Sequence, residues 1–497
     1  MSIKILTPEE MRLADKLTVE KIGISSTTLM ENAGKCLAEE VIKRLGNKIF
    51  KSKIAVLCGK GNNGGDGFVA ARYLAEKVQE IKVFIFPREE EYTGDALLAL
   101  RKLKEKGVAP LPIETFLSGS SWNFDVYIDA IFGTGFKGSL QGPFLDAINF
   151  VNSQKGLKVA CDIPSGVNGE SGEVENSAFK ADLTCTFAFP KTGLLLYPGK
   201  FYAGEIVICD IGIPDDVVDT NLYLLTKNDV KEALPPYIGN EHKGSCGKIL
   251  IIAGTKNYTG AAYLAAEASV NSGAGLTYLL VPEEIRPIMQ SKLNEVIVLS
   301  YSNLQEFQDA LRGDFDALVF GPGLGRTNFT IEALKLVLEV QIPKVIDADG
   351  IWALSQLGVI KLANTILTPH PGEAAFLLKD VNAKMIDKNR IKYAEVLANQ
   401  FSSTIVLKGA PTIISDGTIT YVNPTGNPGM AVGGMGDVLS GIIGALLPRT
   451  KPALKAAFTG VFIHGLSADL LLDEETFETI TPTKVIKNLG KAFKSLR

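Results

Sequence analysis

The sequence predicts an α/β protein made of two successive domains, each built on a mostly parallel sheet. Three observations predict it. Short apolar, strand-like runs alternate with helix-like stretches along nearly the whole chain, the pattern of a sheet covered on both faces. Glycine, at 49 of 497 residues, gathers just after the strand-like runs, where open α/β sheets bind ligands. The texture changes once, near the middle, and each half is long enough for its own core.

The first 45 or so residues read as helix. Thr7, Pro8, Glu9 and Glu10 form a capping box with Pro at the first helical position. LADKLTVEKI (13–22) and LMENAGKCLAEEVIKRL (29–45) then carry apolar residues at helical spacing. Strands follow at KIAVLCG (53–59), KVFIFP (82–87), FDVYIDAIFG (124–133), LKVACDIP (157–164), ADLTCTFAF (181–189) and EIVICDIG (205–212). GFVAARYLAEK (67–77) and DALLALRKLKEKG (95–107) read as helices between them. PDDVVDTN (214–221) and LPPYIGNEHKGSCG (234–247) are polar and rich in Pro and Gly. They place a boundary near 216–226, with domains at 1–218 and 224–497.

The second series begins at Lys248. Its strands are KILIIAG (248–254), GLTYLLVP (275–282), EVIVLS (295–300), FDALVFGPG (315–323), KVIDADG (344–350), ANTILTPHPG (363–372) and TIVLKG (404–409). TIISDG (412–417) and TITYVNP (418–424) read as a hairpin. A Gly-rich loop leads into the apolar helix DVLSGIIGALL (437–447), and LKAAFTGVFIHGLSADLLL (454–472) forms another.

Composition excludes several classes. Hydrophobic residues make up 46% and charged residues 21%, so general disorder is excluded. Lys plus Arg total 51 and Asp plus Glu 55, a net charge of -4, which gives no global pull toward nucleic acid or a membrane surface. No apolar run approaches the roughly 18 residues of a membrane helix, and the start lacks a signal-peptide core. A cytoplasmic location is expected. The six cysteines (36, 58, 161, 185, 209 and 246) form no C-x-x-C pair, and there are three histidines. Buried free thiols are expected rather than a zinc site or a disulfide framework.

In the first half, Gly59-x-Gly61-x-x-Gly64 joins a strand to a helix, as in dinucleotide-binding turns. Asn62-Asn63-Gly64-Gly65-Asp66 adds polar side chains at a helix N-terminus suited to an anion; Asp66 reads equally as a helix cap. Gly133-Thr134-Gly135-Phe136-Lys137-Gly138-Ser139 follows a strand ending in Asp129, and suits either phosphate or a plain connecting loop. Asp162-Ile163-Pro164-Ser165 ends a third strand. Asn63, Asp129, Asp162 and Ser165 are hard oxygen ligands that suit a cation, with one carboxylate left for acid–base work; helix capping is the structural alternative.

In the second half, Gly433-Gly434-Met435-Gly436-Asp437 opens an apolar helix. Its free amides suit a transferring phosphoryl group, and Asp437 in the first turn suits a proton acceptor. Lys408-Gly409-Ala410-Pro411-Thr412 suits nucleotide contact. Gly323 lies in GPGLG, after a strand. His370, at a strand-to-helix junction, is a ligand contact or a hydrogen-bonded turn residue; His464 reads as core. No Walker motif is present.

These residues resemble a known family. LMENAG, GNNGGDG, FGTGFKG and DIPSGV are similar to the NAD(P)H-hydrate epimerase domain. GPGLG, DADG, TPHPGE, LKGAPT and NPGMAVGGMGDVLSG are similar to the ADP-dependent NAD(P)H-hydrate dehydratase domain. Their order resembles the fused bacterial repair enzymes. The resemblance implies a Rossmann-like three-layer domain followed by a ribokinase-like α/β domain. It implies epimerisation of NADH and NADPH hydrates (NADHX and NADPHX) and dehydration with ADP, releasing AMP and phosphate. Asn62 to Asp66, Gly133 to Ser139 and Asp162 would bind the hydrate, with Asp162 as acid–base group. Asn63, Asp129 and Ser165 would bind potassium. Ala274 (in SGAG), Gly323, His370 and Asp437 would contact the hydrate in the second domain. Lys408 to Thr412 and Gly436 would hold the adenine nucleotide with magnesium. A homo-oligomer is expected, with no nucleic-acid or membrane partner. A kinase of a small hydroxylated metabolite, a binding scaffold and an NADP dehydrogenase are the competing readings.

Overall fold

The computed structural model describes residues 2–119 and 122–497. The chain divides into two compact units, Lys4–Thr220, and Asn221–Arg497 with the residues up to Ile3.

In the N-terminal unit, Thr7 opens the first helix, Pro8–Leu17. The Thr7 side chain accepts from the Glu10 amide, and the Thr7 amide donates to the Glu10 carboxylate at 2.7 Å. The helix continues as a π-turn, Thr18–Ile22, and stops at Gly23 with φ 84°. Ser25 caps the next helix, Ser26–Leu45. After β1 (Ile3–Lys4), which belongs to the C-terminal sheet, the strands are β2 (Lys53–Cys58), β3 (Glu80–Ile85), β4 (Leu111–Pro112), β5 (Val126–Ala130), β6 (Leu157–Cys161), β7 (Leu183–Phe187) and β8 (Glu205–Cys209). They form one parallel sheet in the order β4-β3-β2-β5-β6-β7-β8. The period of two is visible on β2. Ile54, Val56 and Cys58 join one core layer with Leu37, Phe68 and Val69, while Ala55 and Leu57 join the opposite layer with Phe84, Phe116 and Tyr127. Burial on both faces explains why these strands are continuously apolar.

The order reverses between β2 and β5, so their C-terminal ends part and leave a crevice. Gly59 stands at its mouth. A Cβ there would lie 2.0 Å from the Ile131 carbonyl oxygen, and one at Gly64 would lie 2.0 Å from the Gly59 oxygen. Close backbone approach, rather than phosphate contact alone, accounts for both glycines.

One expectation for this unit is corrected. Cys36, on the helix Ser26–Leu45, and Cys209, at the end of β8, form a disulfide across a sequence separation of 173. Cys58, Cys161 and Cys185 are buried free thiols, as read; Cys246 is a half-buried one. No spacing rule pairs cysteines this far apart, because the fold alone brings them together.

The C-terminal unit carries β9 (Leu222–Leu224), β10 (Lys248–Ile252), β11 (Leu276–Pro282), β12 (Val296–Tyr301), β13 (Ala317–Phe320), β14 (Lys344–Ile346), β15 (Thr365–Leu367), β16 (Thr404–Leu407), β17 (Ile413–Ser415) and β18 (Thr420–Val422). Their order with β1 is β1-β9-β18-β17-β16-β15-β14-β13-β10-β11-β12. Strands β10 to β16 are parallel, and β17–β18 is the antiparallel hairpin. The order reverses at β10, which again opens a crevice at the strand ends. Helices Thr259–Val270 and Met435–Leu446 pack together over one face, in a core with Ile249, Ile251 and Val319. A second expectation is corrected here. The helix through Ala453–Asp473 is long and apolar enough by length and composition to cross a membrane, and 72% of that stretch is buried inside the protein.

Candidate active sites

Asp162, just past β6, has φ 64°, a conformation strained for a residue with a side chain. Its carboxylate accepts from Lys191 Nζ at 2.5 Å, and from Thr186 Oγ1 and the Phe187 amide at 3.2 Å each. Lys191 is almost fully buried and also donates to the Phe187 carbonyl at 2.9 Å. A cleft of about 590 Å³ opens over this pair. Asn62, Asn63, Asp66, Gly133 and Thr134 line it, and so does Asp15 from the first helix. Burial pushes the Asp15 carboxyl up to about 6, against the pull of Lys191 and with a further push from Asp162. Burial, then Asp162 and Asp15, hold Asp66 well above the carboxylate range. The cleft thus holds one ion pair and two carboxyls biased toward their protonated forms.

The loop after β5 splits. Gly133 and Thr134 face this cleft, whereas Phe136, Lys137, Gly138 and Ser139 line a separate, open cavity of about 520 Å³ with Phe144 and Glu175. Gly135 is exposed. Gly64 and Gly65 are buried against backbone and Met30 rather than lining the cleft. The motif residues from Gly133 to Ser139 therefore do not form one surface.

Asn63, Asp129 and Ser165 do come together. The Ser165 amide and hydroxyl both donate to Asp129 at 2.7 Å, and the Ser165 hydroxyl accepts from the Phe132 amide at 2.9 Å. Asn63 Nδ2 donates to the Phe132 carbonyl at 3.0 Å, which leaves its Oδ1 oxygen available. Asp129 is fully buried, and burial pushes its carboxyl up to about 6 despite the Ser165 bonds. Its partners are all neutral donors. A buried carboxylate without a cationic partner, beside amide, carbonyl and hydroxyl oxygens, fits a monovalent cation.

In the C-terminal unit, Asp437 sits in the first turn of the helix Met435–Leu446. Gly434 precedes that turn with φ 97°, a conformation disfavoured for any other residue. Lys408 Nζ donates to Asp347 at 2.7 Å and stands 3.5 Å from Glu373. Asp347 also accepts from the Ser440 hydroxyl at 2.7 Å. Burial opposes the Lys408 charge, but Asp347 and Glu373 outweigh it and hold the ammonium above its ordinary value. Burial, then Asp347, push the Asp437 carboxyl up to about 7, with Lys408 pulling the other way. A Cβ on Gly436 would lie 3.3 Å from Lys408 Nζ, so Gly436 keeps that ammonium within reach of the helix end.

Around this cluster, Gly409 and Ala410 are exposed and Thr412 closes the loop by donating to the Gly409 carbonyl at 3.0 Å. Pro411 is buried, and its carbonyl accepts from Arg390 at 3.4 Å. Gly323 has φ 64°, and a Cβ there would meet Tyr258 at 2.7 Å and Ala261 at 3.0 Å. His370 caps the helix Pro371–Leu377, its Nδ1 accepting from the Gly372 and Glu373 amides at 3.0 and 3.2 Å. His464 is buried, and burial, then Lys408, push its imidazole down to about 4.

Ala274 is a correction. It precedes β11, and the neighbouring Gly275 amide bonds Gly247, which precedes β10. That is the N-terminal end of the parallel strands, opposite the end that carries the Asp437 cluster. The residues that pack on the Gly323 loop are Tyr258 and Ala261, at the start of the helix Thr259–Val270. Sequence reading also missed Asp15, Lys191 and Ser440, and gave Asp347 and Glu373 no role. DADG and TPHPGE were visible as motifs at strand ends. Asp15 and Lys191 had no such signal.

Residues 249–491 match the family model described as NAD(P)H-hydrate dehydratase, and residues 26–193 match the model described as YjeF-related protein N-terminus. The bifunctional NAD(P)H-hydrate repair enzyme of Moorella thermoacetica is 38% identical over 489 residues, covering 94% of this chain and 92% of that protein. Its namesake in Thermofilum pendens is 34% identical, covering 100% and 97%. Among solved structures, the ADP/ATP-dependent NAD(P)H-hydrate dehydratase of Bacillus subtilis, co-crystallised with ATP and magnesium, is 30% identical with a TM-score of 0.51. It covers 56% of this chain and 100% of that one. A ribokinase-like superfamily protein of Enterococcus faecalis is 27% identical with a TM-score of 0.51, covering 57% and 99%.

Proposed function

The chain belongs to the bifunctional NAD(P)H-hydrate repair enzyme family, and from that premise we propose how its two sites divide the work. The protein is an NAD(P)H-hydrate epimerase and dehydratase, which sets the kinase, scaffold and dehydrogenase readings aside. The observation that carries the assignment of chemistry is the Asp437 cluster. A carboxyl raised to about 7 stands at a helix N-terminus within the influence of a half-buried lysine.

In the dehydratase site Asp437 takes the proton of the substrate's 6-hydroxyl. The freed oxygen attacks the terminal phosphoryl of ADP, and AMP leaves. The C6–O bond of the phosphorylated hydrate then breaks, pushed by the ring nitrogen lone pair, and phosphate departs. Loss of a proton from the neighbouring ring carbon completes NAD(P)H. The amides at the start of the helix Met435–Leu446 offset phosphoryl charge, a contribution of about 3 kcal/mol per donor in comparable sites. The Lys408–Thr412 loop and Gly436 hold the nucleotide; Gly323 and His370 contact the hydrate. Among the described residues no group of three or more His, Cys, Asp or Glu side chains forms a metal cage. The donor set fits magnesium carried by the nucleotide phosphates, where it offsets their charge.

In the epimerase site Asp162 is the acid–base group at the hydrated carbon, with Asn62, Asp66, Gly133 and Thr134 as its surroundings. Its bonds to Lys191, Thr186 and the Phe187 amide orient the carboxylate. Asn63, Asp129 and Ser165 hold potassium, which would order the loops around them. The exposed apolar residues Leu13, Val19 and Ile22 of the first helical segment support a homo-oligomer.

The test is an absorbance assay on the full chain, given both NADPH hydrate epimers, ADP and magnesium. Full recovery of NADPH is expected. Recovery that stops at one epimer's share would remove the epimerase assignment. Recovery with ATP but not ADP would reassign the donor.

A further inference from the structure

The C-terminal unit has a cavity of about 230 Å³ far from Asp437. Ser272 and Gly273, just before β11, form one wall. Ala445 and Leu446 form another, at the opposite end of the helix whose first turn carries Asp437. The nine residue steps of helix from Asp437 to Leu446 put the two sites roughly 13 Å apart along that axis.

Two guanidiniums face one aromatic ring here. Arg449 lies 4.5 Å and Arg497 4.6 Å from the Tyr237 ring centroid. Their hydrogen bonds are long, 3.9 Å from Arg449 to Cys246 Sγ and 3.5 Å from Arg497 to the Pro235 carbonyl. Neither guanidinium joins an ion pair among the described residues. The nearby acid, Glu241, turns its carboxylate to the Ile238 and Gly239 amides at 2.6 and 2.9 Å. Ser272 is an independent observation. It is 7% exposed, lines the same cavity, and its hydroxyl has no hydrogen-bond partner. A buried unsatisfied donor is costly, and an acceptor oxygen from a ligand removes that cost.

We propose that this cavity binds a small phosphate-bearing anion, either inorganic phosphate or a phosphomonoester. Planar guanidiniums match a tetrahedral oxyanion with two N–H donors each, and the Ser272 hydroxyl supplies a further donor. The volume is below the roughly 300 Å³ at which drug-sized ligands begin, so a dinucleotide does not fit. An anion also offsets the repulsion of two like charges held against one ring. The proposal does not rest on the dehydratase reading.

The test is isothermal titration of the full chain with inorganic phosphate and, separately, glycerol 3-phosphate, at constant ionic strength in chloride. Saturable binding is expected in the wild type and in Lys408→Met. Arg449→Gln is expected to weaken it at least tenfold, and Arg449→Lys less. Tighter binding of glycerol 3-phosphate would assign the site to a monoester, and equal or weaker binding to free phosphate. Binding that survives Arg449→Gln, or that vanishes in Lys408→Met, would overturn the proposal, as would no binding of either anion. If Arg449→Gln does not fold, Ser272→Ala replaces it, and amide exchange at 271–275 in the wild type must slow when phosphate is added. Unchanged exchange there would equally overturn it.

Discussion

Replacing Asp437 by Asn should abolish dehydration and stabilise the protein at the same time. The sign follows from the raised carboxyl, which moves from 3.8 when exposed to about 7 in the fold. Folding therefore disfavours the charged form. The cost begins as pH passes 3.8, grows up to about 7 and stays constant above. At about 1.36 kcal/mol per unit the full cost is about 4 kcal/mol at pH 8 and about 2 kcal/mol at pH 5. Asp437 keeps partial contact with solvent, and screening brings the expected gain for Asp437→Asn to about 2 kcal/mol at pH 8. The assay is urea unfolding of the full chain at pH 5 and pH 8, following the C-terminal unit through Trp352. The stabilisation should be larger at pH 8, while dehydratase kcat falls by a factor of about 10² to 10⁴. A gain over the wild type no larger at pH 8 than at pH 5 would refute the electrostatic account, and a wild-type kcat in Asp437→Asn would refute the base assignment.

Four other outcomes are expected. Lys191→Met should cost about 3 to 5 kcal/mol of stability by stranding Asp162, and adding Asp162→Asn should recover most of it; epimerase turnover should be lost in both, and its persistence in Asp162→Asn would remove Asp162 from the chemistry. Replacing potassium with tetramethylammonium should lower epimerase activity in the wild type, whereas Asp129→Asn should be insensitive to the exchange. Gly59→Ala should cost about 3 kcal/mol, since its Cβ would lie 2.0 Å from a carbonyl oxygen; a wild-type urea midpoint would contradict that geometry. Cys36→Ser should lower the midpoint of the N-terminal unit by an amount bounded at about 5 kcal/mol for so long a loop, and dithiothreitol should reproduce the effect in the wild type but not in the variant.

The strands were legible because two-sided burial makes them continuously apolar, and Lys53–Cys58 and Leu183–Phe187 lie within the runs read as strands. Leu111–Pro112 and Leu222–Leu224 were not legible. They are strands of two and three residues, too short to carry a period. Asn63, Asp129 and Ser165 stood out because each lies at the end of a strand or in the segment just after it, with a glycine within four residues. Lys191 was invisible, because a buried lysine and an exposed one look alike in FAFPKTG. Its burial comes from Asp162, 29 residues earlier. Ala274 was misplaced because SGAG has the texture of a ligand loop. The direction of β11 puts it at the end of the strands away from Asp437. The Cys36–Cys209 bond was unreadable for a related reason, since helix and strand meet only in three dimensions.

The N-terminal cleft has a further property, in its proton balance. Asp15, Asp66 and Asp162 face Lys191, and two of the three carboxyls favour protonation. A substrate carrying a pyrophosphate brings more negative charge into the same space, and that charge raises Asp15 further. Dinucleotide binding is then expected to take up protons near neutral pH, an uptake that calorimetry in buffers of different ionisation enthalpy would measure. The cleft thus couples occupancy to acidity before any bond in the substrate changes.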